Sequence, residues 1–160
     1  MIPTKEQLIL NIKKNLGIGV LKIREYSNSE LEEETGEYFE NDKTQERLPN
    51  AFKNKNQLKK KIKDSKTRAL TKEDLLKLDN SDVGDVLSKR DKLEYAKKLA
   101  SNYDRDIDSI IDAIMSGTPL PPPIVIKEGD SLYLLSGNTR LMASVALNAD
   151  LPCKIVDITI

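Results

Sequence analysis

Pro121-Pro122-Pro123-Ile124-Val125-Ile126 runs through Lys127-Glu128-Gly129-Asp130 into Ser131-Leu132-Tyr133-Leu134-Leu135-Ser136, and then into Gly137-Asn138-Thr139-Arg140. Each proline sets its own φ and pushes the residue before it out of the helical region, so the chain arrives at Ile124 extended. Branched and aromatic residues on both sides of Glu128-Gly129-Asp130 predict a β-hairpin. Beyond it Leu141, Met142, Ala143, Val145, Ala146 and Leu147 predict a buried helix. A strand, a glycine turn and a helix start in that order leave several amide N–H groups aimed at one point, where the helix dipole also favours an anion. Arg140 adds a guanidinium that stays charged at any physiological pH and can grip phosphate with two bonds.

Working outward, Ile107, Ile110, Ile111, Ile114 and Met115 form a helical stripe that Asp104 or Asp106 caps and Gly117 closes. Leu93, Ala96, Leu99, Ala100 and Tyr103 mark another helix, and Thr71-x-x-Asp74 caps a turn of helix carrying Leu75, Leu76 and Leu78. Residues 67–70 predict a short strand, and Cys153 to Ile158 a final one. Nearer the start, Thr4-x-x-Gln7 opens a helix over residues 4–16, and Ile18 to Tyr26 reads as a strand. Ser29-x-x-Glu32 opens an acidic segment with Leu31, Thr35, Tyr38 and Phe39 on one side. The lysine-rich run from Pro49 to Lys66, anchored by Ala51, Phe52, Leu58 and Ile62, predicts a surface helix or arm. The organisation expected is a charged, mostly helical extension over residues 1–66 and an α+β domain over residues 67–160.

Composition narrows the chemistry. The chain has 160 residues, 38% of them hydrophobic, with 26 basic and 26 acidic side chains, one cysteine and no histidine. One cysteine and no histidine exclude an internal disulfide, a Cys/His zinc site and any relay that passes a proton through histidine. No run approaches the roughly 20 apolar residues of a membrane span, and the first residues lack the build of a signal peptide, so the expectation is a soluble, cytoplasmic protein without membrane contact. The charges are sorted. Eight acids lie between Glu30 and Glu46 against Lys43 alone, and ten bases lie between Arg47 and Lys72 against Asp64 alone. Such a chain either satisfies its own charges face to face or offers one face to phosphates, with Lys55, Lys59, Lys60, Lys61 and Lys63 as candidate nucleic-acid contacts. Asp104-x-Asp106-x-Asp108 lacks the glycine and the final acid of a calcium loop. Cys153, beside an apolar strand, reads as a core residue.

The proline-led strand, the hairpin, Gly137-Asn138-Thr139-Arg140-Leu141-Met142-Ala143 and the closing strand together resemble the ParB/sulfiredoxin superfamily, whose Gly-x-x-Arg-x-x-Ala loop and helix hold nucleotide phosphates. Gly137, Arg140 and Ala143 stand at those three places, and the resemblance covers residues 67–160. It implies a mixed sheet flanked by helices. That superfamily includes CTP-binding partition proteins, ATP-using sulfiredoxins, a free-serine kinase and ParB-like nucleases. Sulfiredoxins carry a cysteine and a histidine where this chain has Asn138 and Thr139, so their reaction is not expected. Partition proteins place a metal-holding glutamate where Asn138 stands, and they continue into a DNA-binding domain that is not expected here.

The reading is a nucleotide or nucleic-acid phosphate bound at Gly137, Asn138, Thr139 and Arg140, with Mg²⁺ and a nucleoside triphosphate as the ligands and the Asn138 carbonyl as a metal contact. If the chain is an enzyme, the reaction is Mg²⁺-dependent phosphoryl transfer or phosphodiester cleavage, which works by positioned charge and needs no histidine; no catalytic residue is assigned. The alternative is a catalytically silent interaction module that docks a protein or DNA through its charged extension. A composition rich in lysine and asparagine and poor in aromatics suits a small viral or low-GC bacterial protein.

Overall fold

A computed structural model describes residues 19–71, 73–74, 78–79, 107–137, 140–141, 143–144 and 149–158. The sequence-predicted helices over residues 4–16 and 93–103, together with Leu75, Leu76, Asp104, Asp106, Asn138 and Thr139, lie outside these. In chain order the elements are β1 (Gly19–Val20), α1 (Asn28–Glu40), α2 (Asp42–Arg47), α3 (Lys55–Asp64), β2 (Lys66–Ala69) and β3 (Leu78–Asp79). They continue with α4 (Ile107–Met115), β4 (Ile124–Glu128), β5 (Ser131–Ser136), β6 (Ala149–Asp150) and β7 (Pro152–Asp157). The architecture is α+β. Five strands form a mixed sheet in the order β2-β7-β4-β5-β3, and β1 pairs with β6 in a second, two-stranded parallel sheet.

The hairpin stands where the sequence places it. Val125 pairs with Leu134 and Glu128 with Ser131, and Gly129 makes the turn at φ +60°. Alternation along the strands then sends side chains to opposite faces. Ile124, Ile126, Tyr133, Leu135 and Val156 pack on one face against Leu31, Tyr38, Leu48, Phe52, Leu58 and Ile62 of the helices and their connections. Val125, Leu132, Leu134 and Cys153 pack on the other against Leu78 and Leu141. A sheet covered on both faces accounts for the unbroken apolar runs at 124–126 and 132–135. Each Leu or Ile fully removed from water here contributes about 1.5–3 kcal/mol.

Residues 28–64 therefore share one core with the sheet. Leu58 and Ile62 of α3 are buried to 0% and 1% exposure, and α3 is a packed helix rather than an arm. The boundary expected near residue 66 falls at the first residue of β2, and β2 pairs antiparallel with β7. Tyr38 pins the connection between α2 and α3: its hydroxyl donates to the Leu48 carbonyl at 2.6 Å and accepts from the Ala51 amide at 3.0 Å. Lys154, on β7, donates to the Ser65 carbonyl at 3.1 Å, placing a cation at the C-terminus of α3 where the dipole favours one.

Three local expectations change. The cap of α1 is Ser27, not Ser29: Ser27 Oγ accepts from the Glu30 amide at 3.2 Å while Glu30 Oε1 accepts from the Ser27 amide at 2.9 Å. Arg24 decides between the two serines by gripping Glu30 through two bonds of 2.7 Å. Leu78 does not continue the Thr71-capped turn; it lies on β3 and pairs with Leu132. Residues 19–26 are not one strand, because Leu21 bonds to Asp150 while Arg24 and Lys22 bond to Leu120, so this segment bridges two partners in passing. The Thr71–Asp74 box itself is present, with reciprocal bonds of 3.0 and 3.1 Å.

Candidate functional site at the Gly137 turn

β5 ends at Ser136, and Gly137 turns the chain at φ +95°, a conformation that L side chains rarely adopt. The Leu141 amide donates back to the Gly137 carbonyl at 2.9 Å, and residues 140–141 and 143–144 are helical. The turn is pressed against the proline segment. A Cβ at Gly137 would stand 2.7 Å from Pro123 Cβ and 2.8 Å from Pro123 Cα. Pro122 and Pro123 are themselves buried.

Arg140 points into this corner and its side chain is only 13% exposed. Its Nη1 donates to the Pro121 carbonyl at 2.8 Å. Nη2 lies 3.5 Å from Glu34 Oε1, and the guanidinium carbon stands 6.0 Å from the centre of the Tyr26 ring. The second oxygen of Glu34 accepts from Ser136 Oγ. Tyr26 closes the group by donating to the Pro122 carbonyl, and burial pushes its phenol well above the usual range. The structure thus brings Gly137 and Arg140 together as the sequence places them, and adds Tyr26, Glu34 and Ser136.

Those three were not read from the sequence. Glu34 carried a usable signal: it lies three residues after Leu31 and four before Tyr38, on the apolar stripe of α1. An acid there is half-buried and must find a partner. Its partner lies 106 positions away, and no local pattern shows which base that is. Arg140 is the residue expected to clamp phosphate, and here it holds a carboxylate and a carbonyl.

The lysine run divides. Lys55 Nζ lies 3.5 Å from Glu32 Oε1 and 3.9 Å from Glu40 Oε1, and Lys59 pairs with Glu32. The acidic and basic segments therefore meet across α1 and α3. Lys60 and Lys63 are exposed. Lys61, with Lys66, Arg68 and Lys127, lines an open groove of about 680 Å³ that also carries Asp64 and Asp157. Arg68 is tied to Asp74 at 2.7 Å and Lys127 stands 3.8 Å from Asp157.

Among the described residues, no three His, Cys, Asp or Glu side chains cluster as metal ligands, and no helix is long and apolar enough to cross a membrane. Comparison with protein-family models, curated proteins and solved structures finds no match for this chain. What fold and site define is an α+β protein with a part-buried arginine–carboxylate pair beside a glycine turn.

Proposed function

We propose that this chain is a ParB/sulfiredoxin-like domain that binds a phosphate-bearing ligand, a nucleotide, at Gly137, Asn138, Thr139 and Arg140. The observation that carries the reading is Arg140. Its side chain, 13% exposed, sets the guanidinium against the Glu34 carboxylate beside the Gly137 turn, with the Ser136 hydroxyl on the same carboxylate. A cation shielded from water attracts an anion more strongly than an exposed one, and phosphate suits its fork as well as a carboxylate does. Gly137 lets the turn pack directly against Pro123, which holds Arg140 at this corner. Mg²⁺ usually keeps several waters and is bound together with substrate phosphates, so the ion would arrive with the nucleotide. Phosphoryl transfer or phosphodiester cleavage is the chemistry such positioned charge serves.

The test is a thermal-shift series with ATP, CTP, GTP and their diphosphates, each with and without Mg²⁺, repeated on Arg140→Lys. This variant keeps the charge and loses the fork. A ligand at 100 times its Kd adds about 2.7 kcal/mol of stability. The expected result is a shift for at least one nucleotide that weakens in the variant; no shift with any nucleotide overturns the reading.

A second reading rests on the exposed Lys60 and Lys63 and the groove lined by Lys61, Lys66 and Arg68. It makes the chain a silent module that docks DNA or an acidic protein surface. Salt-sensitive DNA binding that is lost in Lys60→Glu/Lys63→Glu and kept in Arg140→Lys would favour it.

A further inference from the structure

We infer that Glu34 is the built-in occupant of the anion site, so that α1 latches the turn and a phosphate enters only as the Glu34 carboxylate leaves. The inference rests on the phosphate-binding reading above and concerns how that site is controlled. Both carboxylate oxygens are engaged at the turn, one facing Arg140 Nη2 and the other accepting from Ser136 Oγ. A phosphate entering here would meet the same two donors, Arg140 Nη2 and Ser136 Oγ.

The geometry makes the carboxylate an occupant that can be displaced. Its separation from Nη2 is 3.5 Å, long for a charge-assisted bond, whereas Arg140 holds the Pro121 carbonyl at 2.8 Å. The guanidinium is therefore positioned by backbone, and losing Glu34 leaves it in place. The Glu34 side chain is 20% exposed, so water already reaches the pair.

α1 itself has no need to move. Its start is fixed by Ser27, Glu30 and Arg24, and its underside by Leu31, Thr35 and Tyr38, with Thr35 Oγ1 bonded to the Leu31 carbonyl at 2.7 Å. Rotation of one side chain toward solvent opens the site. A phosphate arriving with Glu34 still in place meets like charge at close range, which raises its apparent Kd. A multiply charged phosphate competes for the guanidinium better than a singly charged anion does, so the latch also selects for charge.

The experiment measures binding of inorganic pyrophosphate and of the nucleoside triphosphates by calorimetry, with Mg²⁺ present, to the wild-type chain, Glu34→Gln and Glu33→Gln. Glu34→Gln keeps an acceptor for Ser136 and removes the charge. Glu33, exposed on the same helix, removes an equal charge away from the turn. The expected result is a Kd about tenfold lower for Glu34→Gln and unchanged for Glu33→Gln. Wild-type binding that Glu34→Gln leaves unchanged or weakens, or that Glu33→Gln tightens equally, overturns the latch and leaves the phosphate site standing. Binding to none of the three proteins overturns the phosphate reading, and the latch with it. Glu34→Asp, whose shorter carboxylate reaches Arg140 less well, repeats the comparison with the charge retained; the latch requires it to fall between wild type and Glu34→Gln.

Discussion

Gly137 and Pro123 touch so closely that any side chain on Gly137 must displace the proline, since a Cβ there would stand 2.7 Å from Pro123 Cβ. Gly137 also sits at φ +95°. Gly137→Ala therefore combines backbone strain with overpacking, each about 1–3 kcal/mol. Gly129 supplies the control: it has φ +60° and open space around its missing Cβ, so Gly129→Ala costs only the left-handed backbone, about 1–2 kcal/mol. Urea denaturation of both variants gives the comparison, and equal losses would show that Pro123 yields freely.

Tyr38 is fully buried, and its hydroxyl serves both the Leu48 carbonyl and the Ala51 amide. Tyr38→Phe keeps the ring, with its edge contacts to Phe39 at 4.8 Å and Phe52 at 5.0 Å, and strands two backbone groups. The expected loss is about 1–3 kcal/mol by chemical denaturation. A loss below a few tenths would mean that water replaces the hydroxyl.

The Arg24 fork, with the Ser27 amide, holds the Glu30 carboxyl down to about 2 from its ordinary 4.5. A carboxyl whose folded pKa lies below its unfolded one stabilises the fold while ionised. That contribution is fully present above 4.5 and fades as pH falls through about 2. The stability difference between wild type and Glu30→Gln should therefore shrink as the protein is acidified across this window. A difference that stays flat would remove the Arg24–Glu30 pair from the stability of α1.

Cys153 is completely buried on β7, its Sγ 3.3 Å from the Leu151 carbonyl, and burial pushes the thiol up to about 12. Thiolate is the reactive form, so the folded protein should resist a disulfide reagent at neutral pH and react at once when unfolded in urea. Labelling of the folded chain faster than global unfolding would show that β7 opens locally.

Sequence and structure agree where a short stretch carries its own reasons. The hairpin is legible because branched runs flank a glycine turn, α4 because isoleucines recur at helical spacing, and the Thr71–Asp74 box because its two bonds close within three residues. The differences arise where a distant partner decides. Ser27 and Ser29 each precede an acid by three residues, and Arg24 selects Glu30. Leu78 follows a capped turn, yet β5 pairs with it as a strand. In both places the local patterns tie, and a tertiary contact breaks the tie.

Taken alone, the sequence determined an α+β chain with a proline-led hairpin, a glycine turn that brings Arg140 beside it, and the absence of histidine or paired cysteine chemistry. These follow from backbone sterics, side-chain periodicity and inventory, none of which needs a long-range contact. Only the tertiary structure decided that helices from residues 28–64 share the core of the sheet, that Lys55 and Lys59 answer the acids of α1, and that Glu34 faces Arg140. Thirty-two per cent of the residues are charged. Charge attracts without regard to sequence distance, and packing of the apolar faces chooses which acid and base meet.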